Sequence, residues 1–382
     1  MSAGGRAATI AVTYALGAAA GLLAHALRLP LPYLLGSLAA TGIASATGRR
    51  RPVVRGGRQA GQAVVGAALG LYFTPEVLAG VAAALPWMLA SSFAALGAGI
   101  AGASLLRRRA HLAAATAFFA GVPGGAAEMA VFGEREGGDP AVIALAQSLR
   151  VATVVSILPF ALTLLGARGA EPWTQSPPAG GLYDLLWLGA WCAAAGWIAQ
   201  VARLPNGWLL GALAASAALT ASGLVGAAPP RPLVDAAQVA IGCALGSRFR
   251  RDLLDDARVL LPAIVLAVAQ SLALLAGFGA VVGLASGRSP FTLVLATAPG
   301  GIAEMCLTAR TLHLGVPLVT AFHVVRLVVL LTLAPATFRV WRGVVESRRP
   351  SVSATPAAAP DATDAETPPA LPGRGRRAAR DR

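Results

Sequence analysis

Four charged side chains stand deep inside apolar stretches of this chain, and they form two matched sets. Glu128 and Glu304 each follow a Pro-Gly-Gly triplet, Pro123-Gly124-Gly125 and Pro299-Gly300-Gly301. Arg150 and Arg326 each follow their glutamate by 22 residues. A charge at the centre of a bilayer costs about 2.5 to 3.5 kcal/mol or considerably more, so such residues face a cavity, a partner or a substrate path. Proline lacks a backbone donor and glycine tolerates positive φ, so Pro-Gly-Gly interrupts a helix. The helix that restarts aims the positive end of its dipole at the break, where an anion or polar solute can be held. The plainer reading is that the triplet only turns the chain and the glutamate caps the helix after it. Gln147 and His323 lie three residues before the arginines, on the same helical face. One reading of the set is a structural Glu–Arg pair in each half that balances charge. The other has arginine binding an anionic substrate while glutamate accepts a proton or coordinates a cation.

The elements that carry these residues are apolar helices. Of 382 residues, 56% are hydrophobic and 13% charged, and the mean hydropathy is +0.67, which excludes an ordinary soluble globule. Stretches of membrane-spanning length follow one another from near residue 7 to near residue 338. Continuous runs such as Ala83–Leu106 and Leu260–Ala285 exclude the alternating strands of an outer-membrane barrel. The expected fold class is therefore an all-α polytopic membrane protein. Its net charge of +14 comes from arginine, with no lysine, in short clusters between apolar segments. That distribution marks membrane topology and argues against nucleic acid as a partner.

A tandem repeat organises the chain. Arg28-Leu29-Pro30 with Leu35-Gly36 returns as Arg203-Leu204-Pro205 with Leu210-Gly211, an offset of 175. At an offset of 176, Gln62, Gly66 and Gly70 match Gln238, Gly242 and Gly246, Leu85-Pro86 matches Leu261-Pro262, and Pro123–Met129 matches Pro299–Met305. Arg150 and Pro159 match Arg326 and Pro335 at the same offset. The first apolar segment resembles a signal peptide, but its counterpart at 182–202 cannot be one, so it is expected to remain as a helix. The division is repeat 1 at 7–166, a linker at 167–181, repeat 2 at 182–342 and a disordered cytoplasmic tail at 343–382.

Each half is expected to hold about five transmembrane helices and one broken or re-entrant hairpin at Pro-Gly-Gly. Inverted halves with cytoplasmic termini keep most arginines inside. Parallel halves would export the Arg248, Arg250, Arg251 and Arg258 cluster. Gly66/Gly70 and Gly242/Gly246 are GxxxG pairs suited to close helix packing. Gly97–Gly102 matches a dinucleotide fingerprint in letters only, since no strand precedes it. Cys192, Cys243 and Cys306 have no metal-ligand or oxidoreductase spacing. No cofactor and no metal are expected, because no histidine cluster forms a copper or iron set.

With LPxxLG-like residues early in each half (Leu31–Gly36 and Leu204–Gly211), PGGxxEM in the middle and an arginine on the last helix, residues 10–340 resemble the bacterial membrane AbrB family. That family also carries the label ammonia monooxygenase and a label of regulation of gene expression. The resemblance implies a multi-pass protein of the bacterial inner membrane. The residues favour a non-enzymatic secondary transporter of a small polar or anionic solute, working by alternating access. In that reading Glu128 and Glu304 carry the coupling charge and Arg150 and Arg326 hold counter-charge or substrate. Gln147 and His323 share the polar track, and both Pro-Gly-Gly breaks supply backbone ligands. A membrane-embedded regulator is the alternative and an ammonia-oxidising enzyme the least favoured. The expected partners are the lipid bilayer and the solute, with homo-oligomerisation left open.

Overall fold

A computed structural model describes residues 3–48, 51–169, 181–224, 227–249 and 260–347. The linker and tail expected from the sequence fall largely outside the described residues. The described residues form fifteen α-helices and no strand. In the first half these are α1 (Ala3–Ala26), α2 (Pro32–Ala46), α3 (Gly57–Gly70), α4 (Pro75–Ala82), α5 (Leu85–Ala110), α6 (Ala114–Gly121), α7 (Ala126–Arg135) and α8 (Pro140–Leu164). The second half has α9 (Leu182–Val201), α10 (Gly207–Ala221), α11 (Arg231–Gly246), α12 (Leu260–Ala285), α13 (Pro290–Thr297), α14 (Ile302–Thr311) and α15 (Val316–Ser347).

Six helices are long and apolar enough to cross a bilayer: α1, α5, α8, α9, α12 and α15. A seventh crossing is reached if α3 and α4, bent by 96° at their junction, count as one span. Five full-length spans per half are thus not present by length and composition among the described residues. The segments that fall short are α2 and α10, each of 15 residues, and α11, of 16, which at about 1.5 Å per residue reach roughly 22 to 24 Å. Helices α2 and α10 are both preceded by a proline turn in the left-handed region. Arg28 and Leu31 have φ of 54° and 49°, and Arg203 and Asn206 have 57° and 51°. That recurrence extends to the ends of other helices, where His111 and Gly287 share positive φ, as do Gly137 and His313. Each of those pairs is separated by 176 residues.

Small residues then decide which helices meet. A Cβ on Gly36 would lie 2.4 Å from the backbone oxygen of Ala20, and one on Gly211 would lie 2.3 Å from that of Ala195. Only glycine lets α2 lie on α1 and α10 on α9 at this separation. We expect Gly36→Ala and Gly211→Ala each to destabilise the protein by about 1 to 3 kcal/mol, because backbone atoms cannot yield as a side chain can. Thermal melting in detergent checks this, with Gly97→Ala, where a Cβ meets open space, as the neutral control. The GxxxG glycines work across the halves. Gly66 and Gly70 press α3 onto α10, where an added Cβ would lie 2.5 Å from Leu209 oxygen and 2.6 Å from Leu213 oxygen, while Gly242 and Gly246 press α11 onto α2. Helices α3 and α11 cross each other, as do α5 and α12.

The two broken segments pack against this frame. Helix α6 lies on α5 and α8, and α13 lies on α12. Phe118 and Phe119 of α6 meet Phe338 of α15 at ring-centroid distances of 5.3 and 5.1 Å. Arg342 sits 5.3 Å over the Phe338 ring and bonds Glu136 at 3.3 Å. Asp139 caps α8 through Ala141 N–H at 2.8 Å, one of the orphan donors every helix start leaves. These contacts hold the chain on both sides of the first break.

Candidate functional site

Between α6 and α7 the chain runs without helix through Val122-Pro123-Gly124-Gly125, and between α13 and α14 through Ala298-Pro299-Gly300-Gly301. Carbonyls at the end of α6 and α13 lose their intrahelical partners there, and hydrocarbon offers none. Buried side chains of α8 and α15 supply them. Arg326 donates through one terminal nitrogen to Thr297 oxygen at 3.1 Å and Ala298 oxygen at 2.5 Å, and through the other to Gly300 oxygen at 3.2 Å. Arg150 donates to Gly124 oxygen at 3.0 Å in its own half and, through Nε, to Pro299 oxygen at 3.0 Å in the other. A planar guanidinium with five donors suits this better than a lysine ammonium.

Gln147 and His323 complete the two sets differently. The Gln147 amide nitrogen donates to Phe119 oxygen at 2.7 Å and Val122 oxygen at 2.9 Å, and its oxygen accepts from Arg150. At the equivalent place His323 Nδ1 takes a hydrogen bond from Arg326 at 2.7 Å. Arginine can only donate, so the ring proton is assigned to Nε2. That atom is buried and closes no hydrogen bond.

The glutamates do not pair with these arginines: among the described residues no ion pair joins Glu128 or Glu304 to Arg150 or Arg326. Each carboxylate folds back over the N-cap glycine just before its own helix. A Cβ on Gly125 would lie 1.9 Å from Glu128 Oε2, and one on Gly301 2.1 Å from Glu304 Oε2. A carboxylate at the third helical position favours the helix N-terminus, and glycine at the cap leaves room for it. Glu304 is 4% exposed, whereas Glu128 is half-buried.

Both sets line one cavity of about 270 Å³. Of the twelve residues singled out from sequence for substrate or ion binding, all but Pro299 border it, and Pro299 meets it through Arg150. Seven further polar residues line it: Arg58, Gln59, Gln62, Ser148, Gln200, Asn206 and Arg248. Gln62 bonds Asn206 Oδ1 at 3.4 Å, Arg248 bonds Ser148 Oγ at 3.1 Å, and Arg58 stands near the start of α3. Arg248 lies within Coulombic reach of Arg58 and Glu304. Four arginines against two glutamates leave the lining with an excess of two positive charges. Where the lining reaches exposed Gln59, Gln200 and Leu204, the cavity comes to the surface. Among the described residues no three His, Cys, Asp or Glu side chains are grouped as a metal site.

Similarity to known proteins agrees with this architecture. A family model described as "Transition state regulatory protein AbrB" matches residues 33–342. The chain is 30% identical over 324 residues to "Putative regulator AbrB" of Escherichia coli (strain K12), covering 82% of this chain and 91% of that protein. It is also 28% identical over 266 residues to "Uncharacterized protein YhjN" of Bacillus subtilis (strain 168), covering 63% of this chain and 68% of that one. With its apolar helices and its paired Pro-Gly-Gly breaks, this chain belongs to the AbrB family.

Proposed function

We propose that this protein is a secondary transporter of a small anionic or polar solute, set in the bacterial inner membrane with both termini cytoplasmic. The observation that carries the reading is that two broken helices, one from each half, contribute to one partly buried cavity with surplus positive charge. Irregular backbone at membrane depth is tolerated where it lines a cavity, and broken helices meeting near the midplane are how many transporters hold their solute. Arg150 and Arg326 direct most of their donors to the carbonyls of the breaks, so their part is to hold the breaks in shape. Arg58 and Arg248, nearer the surface end, have more freedom to meet an anion. Glu128, half-buried at the first break, is the group best placed to exchange a coupling proton or cation. The proposal includes no catalytic step and no nucleic-acid partner.

Purified protein in liposomes tests this against a panel of small carboxylates, oxyanions and amines, with a pH-sensitive dye inside. The expected result is solute-driven proton movement that Glu128→Gln abolishes while the variant stays monodisperse. The names of the family and of the Escherichia coli relative favour a second reading, in which the cavity holds an effector and the protein regulates. Absence of flux for every solute, with altered transcript levels in a deletion strain, would select that reading.

A further inference from the structure

The cavity mouth has a counterpart that is shut. Helices α3 and α11 cross where a Cβ on Gly61 would lie 2.8 Å from Ala237 oxygen, and these two residues are equivalent at the offset of 176. The next residue on each helix is a glutamine. Gln62 looks into the cavity and bonds Asn206. Both glutamines are 7% exposed; the Gln238 amide nitrogen reaches Asp235 Oδ1 at 3.4 Å, and its Oε1 has no hydrogen-bond partner. A buried amide oxygen left unpaired costs about 1 to 3 kcal/mol, which makes it an unexplained feature of a packed helix crossing.

The other mouth positions carry the comparison further. Gln59 and Gln200, where the cavity reaches the surface, correspond to Asp235 and His25. Asp235 lies within Coulombic reach of His25, Arg310 and Arg231. Arg58, Arg248 and Asn206 correspond to Val234, Tyr72 and Leu31, which are 3%, 8% and 2% exposed. The turns that present Leu31 and Asn206 have the same left-handed backbone. Similar backbone therefore carries a cationic mouth in one place and, in the other, a polar trio running from buried Gln238 to exposed His25, with buried apolar side chains where the first mouth has arginine and asparagine.

We propose that Gln238, Asp235 and His25 form the second mouth of the same solute path, closed in this state by Leu31, Tyr72 and Val234. The inference rests on the transport reading, because alternating access requires the two mouths to open in turn on opposite faces. Opening the second mouth would part α11 from α2 and α1, exposing Gln238 Oε1 to water or to the solute. The closed mouth has a carboxylate and an imidazole where the open one has Gln59 and Gln200, and apolar Val234 and Tyr72 where the open one has Arg58 and Arg248, so the two ends of the path differ in their hold on an anion.

Single cysteines at Gln62 and Gln238 test this in full-length protein in liposomes, with the buried Cys192, Cys243 and Cys306 replaced by alanine. The probe is a membrane-impermeant maleimide added to one face at a time. Cysteine at 62 is expected to react from one face and cysteine at 238 from the opposite face, about ten- to a thousandfold more slowly, as for a minor state. Leu31→Cys is expected to behave like Gln238→Cys, so misfolding of one variant does not decide the matter. Labelling of 238 and 31 from the same face as 62, or from neither face over hours, overturns the proposal. Flux reads transport and labelling reads the path. Opposite-face labelling without flux would leave the second mouth standing and remove the transport reading, whereas flux with 238 and 31 unreactive would do the reverse.

Discussion

Arg326→Met is expected to destabilise the protein by roughly 3 to 5 kcal/mol, the scale seen when one partner of a buried charged network is removed. The methionine fills part of the space, but the carbonyls of Thr297, Ala298 and Gly300 lose the donors they now have. An unpaired buried carbonyl costs about 1 to 3 kcal/mol, and water cannot easily substitute in a site whose arginine is 6% exposed. His323 Nδ1 would be orphaned too. Arg326→Lys keeps the charge and up to three donors without the fork geometry, so it is expected to recover only part of the loss. Thermal melting in detergent reads this as a drop of about ten degrees for methionine and a smaller one for lysine. A methionine variant that melts with the parent protein would show that the breaks hold their shape without the guanidinium.

Arg248→Glu is expected to weaken anion uptake about a hundredfold. The substitution takes the cavity lining from an excess of two positive charges to none. At an effective dielectric near 20 and a separation of about 5 to 6 Å, each unit charge on the protein contributes roughly 3 kcal/mol to a bound monoanion. Arg248 is only half-buried, so solvent screening takes off a large part of the doubled effect of reversal. About 2.7 kcal/mol then remains, equivalent to the hundredfold change. The measurement is the concentration dependence of flux for an anionic solute at low and high ionic strength. The deficit should shrink with added salt, and a neutral solute should be little affected. Equal losses for anionic and neutral solutes would assign Arg248 a packing role through Ser148 instead.

Much of the site was legible in the sequence. Hydrocarbon leaves a glutamate or arginine few places to go, so residues of those types in apolar stretches identify a wet or paired interior without knowledge of the fold. Glycine and proline interrupt helices by local stereochemistry, which is why both breaks occur where the triplets predict. The residues missed, Arg58, Arg248 and Asn206, sit at element ends where charge and polarity are ordinary. Their repeat counterparts are Val234, Tyr72 and Leu31, so the symmetry that exposed the rest of the site concealed them. No local signal distinguishes an arginine that flanks a cavity from one that only marks topology.

The amino-acid sequence alone determined the membrane-helical class and the two interruptions, because each follows from hydrophobic length or from backbone stereochemistry within a few residues. Tertiary structure decided what the charges do. Spacing allowed a Glu–Arg pair in each half, yet the arginines satisfy backbone carbonyls and the glutamates lie over their own helix starts. The reason is competition: several unpaired carbonyls fixed around one point outweigh a single carboxylate that already has a helix terminus beside it. Packing also decided that Arg150 crosses to Pro299 of the other half, a choice between near-equivalent partners that only three-dimensional proximity can make.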